Sequence, residues 1–154
     1  MRDIEEDFGS VTRNDEAVGL ARLLPRPNVR TTNGKGPTIA RVIALANQKG
    51  GVAKTTTTLN LGVALSELEH RVLLIDLDPQ GNLTMSQGLN PDEIERSMFD
   101  VLVHRIPITE VIEKREVDVA VSSIDLAGAE LSLSSMIGRE RALDKALVAV
   151  RDAY

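Results

Sequence analysis

Residues 47–58 read NQKGGVAKTTTT, and the fold turns on what this stretch joins. It has the makings of a phosphate-binding loop, but the common spacing G-x-x-x-x-G-K-[ST] is broken at both glycines. Aligned on Lys54 and Thr55, the first glycine position holds Gln48 and the second Ala53. A phosphate cradle needs inward-turned backbone N–H groups, small residues that admit the phosphate oxygens, and a helix N-terminus behind them. Gly50 and Gly51 can take the positive φ angles of such a nest, and Ala53 is the next smallest choice. Lys54 supplies a point charge for the β- and γ-phosphates, and Thr55 a hydroxyl for Mg2+. A glycine turn that only joins a strand to a helix would share these small residues, so the flanks decide.

Upstream, ARVIALAN (40–47) is a short apolar, β-rich run of the kind that forms a buried parallel strand. Downstream, KTTTTLNLGVALSELEH (54–70) carries Leu61, Ala64, Leu65 and Leu68 at helical spacing. RVLLIDLD (71–78) is a second apolar run, ending in Asp76 and Asp78. Strand, glycine loop, helix, strand is a βαβ unit, the context in which such a loop binds phosphate. The two carboxylates then stand at the carboxyl end of a strand, where α/β sheets bind ligands. There they can orient the waters of Mg2+ or an attacking water. A turn cap ahead of Pro79 is the plainer role, and it suits Asp78 better than Asp76. The expected fold is α/β, a P-loop NTPase-type parallel sheet flanked by helices.

Beyond Asp78, PQGNLT breaks the strand into a loop. Residues 97–103 and 108–114 read as short helices separated by Pro107, and 117–123 as a third strand. From residue 126 onward, a stretch rich in alanine and leucine reads as one or two further helices. Residues 1–38 differ in texture: they carry Pro25, Pro27, Pro37, Gly34 and Gly36 with little hydrophobic periodicity, with acids between Asp3 and Glu16 and then Arg22, Arg26, Arg30 and Lys35. They are expected to be a flexible tail with a short helix around 17–24, either a solvated extension or an arm that docks or touches DNA. The domain proper is expected over 39–154.

Composition narrows the function classes. An apolar fraction of 42% with two Phe, one Tyr and no Trp implies a core of Leu, Ile, Val and Ala. Without cysteine there is no disulfide, thiolate-metal or iron–sulfur chemistry, and His70 and His104 are too few for a typical zinc cluster. No apolar run approaches the roughly 20 residues that span a bilayer, and the acidic start MRDIEEDFGS is unlike a secretory leader. A cytoplasmic protein is expected. The net charge of −5 leaves room only for a local DNA-binding patch.

KGGVAKTT (49–56) resembles the deviant Walker A motif K-G-G-x-x-K-[ST] of the ParA/MinD ATPases. The loop is thus a variant with an extra lysine, Lys49, ahead of the glycine pair. DLDPQGNLT (76–84) resembles the segment after the second strand of ParA and Soj proteins, and IDLAGAEL (124–131) their later D-L-A-x-x-E stretch. The resemblance implies that Lys54 binds the β/γ-phosphates of ATP and Thr55 ligates Mg2+. Thr56 and the amides of Gly50, Gly51, Val52 and Ala53 would hold the α- and β-phosphates. Lys49 would reach the partner's nucleotide across an ATP-bound homodimer. Asp78 would position the hydrolytic water, and Asp76 would support the metal through a water. It further implies non-specific DNA binding by the dimer, a ParB-type partner that stimulates hydrolysis, and a nucleoid-associated protein without a membrane anchor.

Two departures from that pattern matter. Glu69-His70 stands where the family commonly has glycine between helix and strand, and the His70 side chain as a cation would favour that helix end; His104 is expected at the surface. The family also places a strand ending in D-x-P-P after a helix like 139–151, which this sequence does not reach. The expectation is an N-terminal portion of a longer protein, or a truncated one, with an exposed sheet edge, weak stability and poor or no turnover. The alternatives are a binding module that holds nucleotide or partner without turnover, and a MinD-type membrane-associated ATPase.

Overall fold

The computed structural model describes residues 40–154. The tail expected over 1–38, with its short helix at 17–24, lies outside the described residues. From Lys54 the chain runs as helix α1 (Lys54–Glu67), strand β1 (Leu73–Ile75), helix α2 (Asn82–Ser86) and helix α3 (Met98–Val103). Strands β2 (Ile112–Glu113) and β3 (Asp118–Ala120) follow, then helices α4 (Ala129–Ser134) and α5 (Ala142–Leu147). Short 3-10 turns at Pro91–Glu93, Ile108–Val111, Ile124–Gly128 and Arg139–Arg141 join them.

The sheet has the order β1-β3-β2. β1 and β3 are parallel, Leu73 opposite Asp118 and Ile75 opposite Ala120, whereas β2 is antiparallel to β3. The sheet is therefore mixed, not purely parallel. The segment 108–114 is also not a helix. Pro107 opens a 3-10 turn over Ile108–Val111, and Ile112 and Glu113 after it pair with β3.

Val119, Ala120 and Val121 lie at the centre of the core with Met98, Val101 and Ile108, all at most 2% exposed. α3 begins cleanly because Ser97 caps it: its hydroxyl accepts the Phe99 N–H, and Asp100 accepts the Ser97 N–H in return. α1 covers one side of this core through Leu59 and Val63. Gly62 lets the helix approach closely enough that a Cβ there would lie 2.6 Å from Leu74 Cδ2. The inward face is thus Leu59, Gly62 and Val63. The stripe read from the sequence is largely outside, with Leu61 and Leu68 exposed. α1 offers two apolar stripes, and the glycine, by allowing the closest contact, selects the one that faces inward.

The run 40–47 forms no regular secondary structure and does not enter the sheet. Val42 and Ile43 are 50% and 60% exposed. The composition of these residues suits a strand, yet a strand needs a neighbour to satisfy its backbone, and among the described residues none pairs with it. Ala40 N–H reaches the carbonyl of Arg151 at 3.4 Å, which sets the start of the run beside the turns that follow α5.

Candidate nucleotide-binding site

The loop 47–53 is an exposed bend closed at its start by the Asn47 side chain, whose oxygen accepts the Lys49 N–H at 2.9 Å. Gly51 and Ala53 both adopt left-handed backbone, at φ 71° and 57°. Such a conformation costs a non-glycine residue about 1–2 kcal/mol, so Ala53 is held there by the turn into α1. Ala53 is also the N-cap of α1, and it gives the helix no side-chain acceptor; no acid stands in the first turn. The first N–H groups of a 14-residue helix are therefore left for an outside acceptor, with the positive end of the helix dipole behind them. Lys54, Thr55 and Thr56 open that helix, and a Cβ at Gly50 or Gly51 would meet nothing within 4 Å. An exposed glycine bend, free amides and two lysines fit an oligophosphate, and the Thr55 hydroxyl fits the hard, oxygen-seeking Mg2+.

β1 delivers the acids. Asp76, just past Ile75, is 3% exposed, and its carboxylate is turned into the following loop. Oδ2 accepts both the N–H and the hydroxyl of Thr84, at 2.9 and 2.8 Å, while Oδ1 accepts the Asp78 N–H at 3.1 Å. Three donors stabilise a buried carboxylate well, and Oδ1 keeps a lone pair for a metal-bound water. Asp78 is half-buried, and its own carboxylate accepts the Gln80 N–H at 3.0 Å. Both acids thus serve as turn acceptors, the plainer role foreseen for Asp78. α2, which begins in this loop, packs on α1 together with β1, so the acidic loop is carried by the elements that flank the phosphate loop.

Sequence reasoning passed over the residues that tie this loop down. The Ser122 N–H donates to Thr84 Oγ1 at 3.0 Å, and the Ser122 hydroxyl to the Asp78 carbonyl at 2.7 Å. Ser123 bonds the Ser97 hydroxyl at 2.8 Å and so joins the same end of β3 to the start of α3. The available signal was two adjacent hydroxyl residues ending an apolar strand. His104 is exposed, as expected, bonded to Asp100 at 3.0 Å and edge-on to Phe99. A cavity of about 350 Å³ opens at the opposite end of the sheet, lined by His70, Lys114, Asp118 and Tyr154. The Tyr154 hydroxyl donates to Asp118 at 2.6 Å; burial, then that bond, push the tyrosine above its ordinary pKa. The phosphate loop is an open surface bend, not a cavity of this kind.

Loop, uncapped helix and acid-bearing strand end define a P-loop α/β nucleotide-binding domain of the ParA/MinD kind. A family model described as an AAA domain (AAA_31) matches residues 40–154, and the chain belongs to that family. The sporulation initiation inhibitor protein Soj of Bacillus subtilis is 44% identical over 119 residues, 75% of this chain and 47% of Soj. The chromosome partitioning protein ParA of Caulobacter vibrioides is 44% identical over 114 residues, 72% of this chain and 43% of ParA. Among solved structures, a cobyrinic acid a,c-diamide synthase from Mycobacterium smegmatis with bound ATP analog and magnesium superposes with a TM-score of 0.69. It is 45% identical and covers 71% of this chain and 46% of its own. The chain spans less than half the length of the curated relatives named above.

Proposed function

We propose that the chain is the nucleotide-binding portion of a ParA/Soj-type partitioning ATPase, which binds MgATP on the loop 49–56 and serves as a switch in DNA segregation. The observation that carries the reading is the uncapped N-terminus of α1 behind a left-handed, lysine-flanked loop. Similarity to Soj and ParA supports the cellular role, and the magnesium and ATP analog in the mycobacterial structure support the ligand.

In this reading Lys54 and the amides of Gly50 to Ala53 hold the phosphates, with Thr56 at the α-phosphate side. Asp78 orients a water whose oxygen attacks the γ-phosphorus; the bond to the β–γ bridging oxygen breaks, ADP leaves with the electron pair, and the water's proton is released with phosphate. Magnesium, when bound through Thr55 and a water on Asp76, supplies charge neutralisation to the phosphates. Lys49 neutralises charge on the partner's nucleotide in an ATP-bound homodimer, so that hydrolysis depends on association. DNA and a ParB-type protein are the proposed partners, in the cytoplasm and on the nucleoid. Among the described residues no helix is long and apolar enough to cross a membrane.

A second reading, binding without turnover, is favoured by the exposed run 40–47, which leads straight into the phosphate loop without a sheet to hold it. Hydrolysis by the purified chain, alone and with DNA and a ParB-type protein, separates the two. Stimulated turnover supports the switch; nucleotide binding with no turnover under any condition supports the module.

A further inference from the structure

Asp78 is held more tightly than a turn requires. Its N–H is bound by Asp76 Oδ1 at 3.1 Å, and its carbonyl accepts both the Ser122 hydroxyl at 2.7 Å and the Gly81 N–H at 2.9 Å. The ring closes through Thr84, which donates its hydroxyl to Asp76 and accepts the Ser122 N–H. Thr84 and Ser122 are both fully buried. The backbone of Asp78 is therefore held at both of its polar groups, the N–H by buried Asp76 just past β1 and the carbonyl by buried Ser122 just past β3, while its side chain remains partly exposed. A side chain that must meet a water at a fixed place needs this kind of support.

We propose that Thr84 and Ser122 are positioning residues for Asp78, forming with Asp76 a buried hydroxyl latch that fixes the acidic loop to the end of β3. The proposal deepens the ATPase reading and rests on it for the role of Asp78. None of the latch bonds involves the loop 49–56, so phosphate binding and latch integrity are separable properties.

The discriminating pair is Thr84→Val, which keeps the shape and removes the hydroxyl, and Thr84→Ser, which keeps the hydroxyl. In the full 154-residue chain, T84V is expected to speed amide hydrogen exchange of residues 78–84 by about tenfold or more, with α3 exchange unchanged. MgATP affinity should change far less than turnover, because the phosphate loop is untouched and Asp76 keeps its two N–H donors. Hydrolysis at saturating MgATP should fall by about tenfold or more with little change in KM, as misplacement of a catalytic group predicts. T84S is expected to track the wild type in all three. Equal exchange of 78–84 in T84V and wild type overturns the latch, as does loss of protection in T84S equal to that in T84V. If T84V fails to fold, Ser122→Ala gives the same readings through the Asp78 carbonyl. A wild-type chain that binds no MgATP defeats the nucleotide reading, while the exchange comparison still decides the latch.

Discussion

Backbone angles at two single residues carry consequences of opposite kind. Glu69 has φ 63° and closes α1: its N–H reaches the Ser66 carbonyl at 2.9 Å and the His70 N–H reaches Leu65 at 3.1 Å. That is the helix ending in which glycine is favoured, and this chain puts glutamate there. Glu69→Gly is expected to raise stability by about 0.5–1 kcal/mol, the relief of left-handed strain less the greater freedom of unfolded glycine. A shift of the urea midpoint to higher concentration checks it. Gly81 shows the reverse. At φ 62°, with a Cβ there set to lie 2.6 Å from the Pro91 ring, Gly81→Ala combines strain with a clash. The expected cost is about 2–4 kcal/mol, read from the same unfolding curve. The family pattern made the departure at Glu69 visible from sequence, but only the structure shows that the residue adopts the glycine conformation.

At the scale of elements, α3 and the run 40–47 are informative. Burial pushes the Asp100 carboxyl up, but the Ser97 N–H and His104 outweigh it, and its pKa lies below the ordinary 3.8. A lowered carboxylate contributes stability that is complete above the unfolded pKa and is lost as pH falls through the folded one. Asp100→Asn should therefore destabilise the chain at about pH 6, and the difference from wild type should shrink below about pH 3.8. Unfolding midpoints at the two pH values test this; a constant gap would contradict it. The spacing of Ser97 and Asp100 carries the capping box, a signal that the reading of 97–103 as a helix did not use. The run 40–47 was legible as a strand by composition and wrong in placement, since pairing is a property of neighbours. Because Ile43 is exposed, Ile43→Ser should change stability by no more than about 0.5 kcal/mol, where a buried strand would lose several times that.

For the molecule as a whole, the order of glycine loop, helix, strand and acids could be read directly, because small residues, helical spacing and strand-end carboxylates are local signals. What could not be read was long-range: the antiparallel β2, the face of α1 that turns inward, and the hydroxyl latch between residues 38 positions apart. These depend on which surfaces meet. The apolar run 40–47 lies outside the sheet, just ahead of the phosphate loop. The same arrangement leaves the loop amides and Lys54 in place at the head of α1, so binding should outlast weak catalysis. Calorimetric titration of the folded 154-residue chain with ATP in magnesium, beside Lys54→Ala, tests that claim most directly. One saturable site that requires magnesium and is lost in K54A, with the helical circular-dichroism signal unchanged, is the predicted result. A folded wild-type chain that takes up no ATP, or a K54A chain that binds it equally well, would contradict the phosphate-loop assignment.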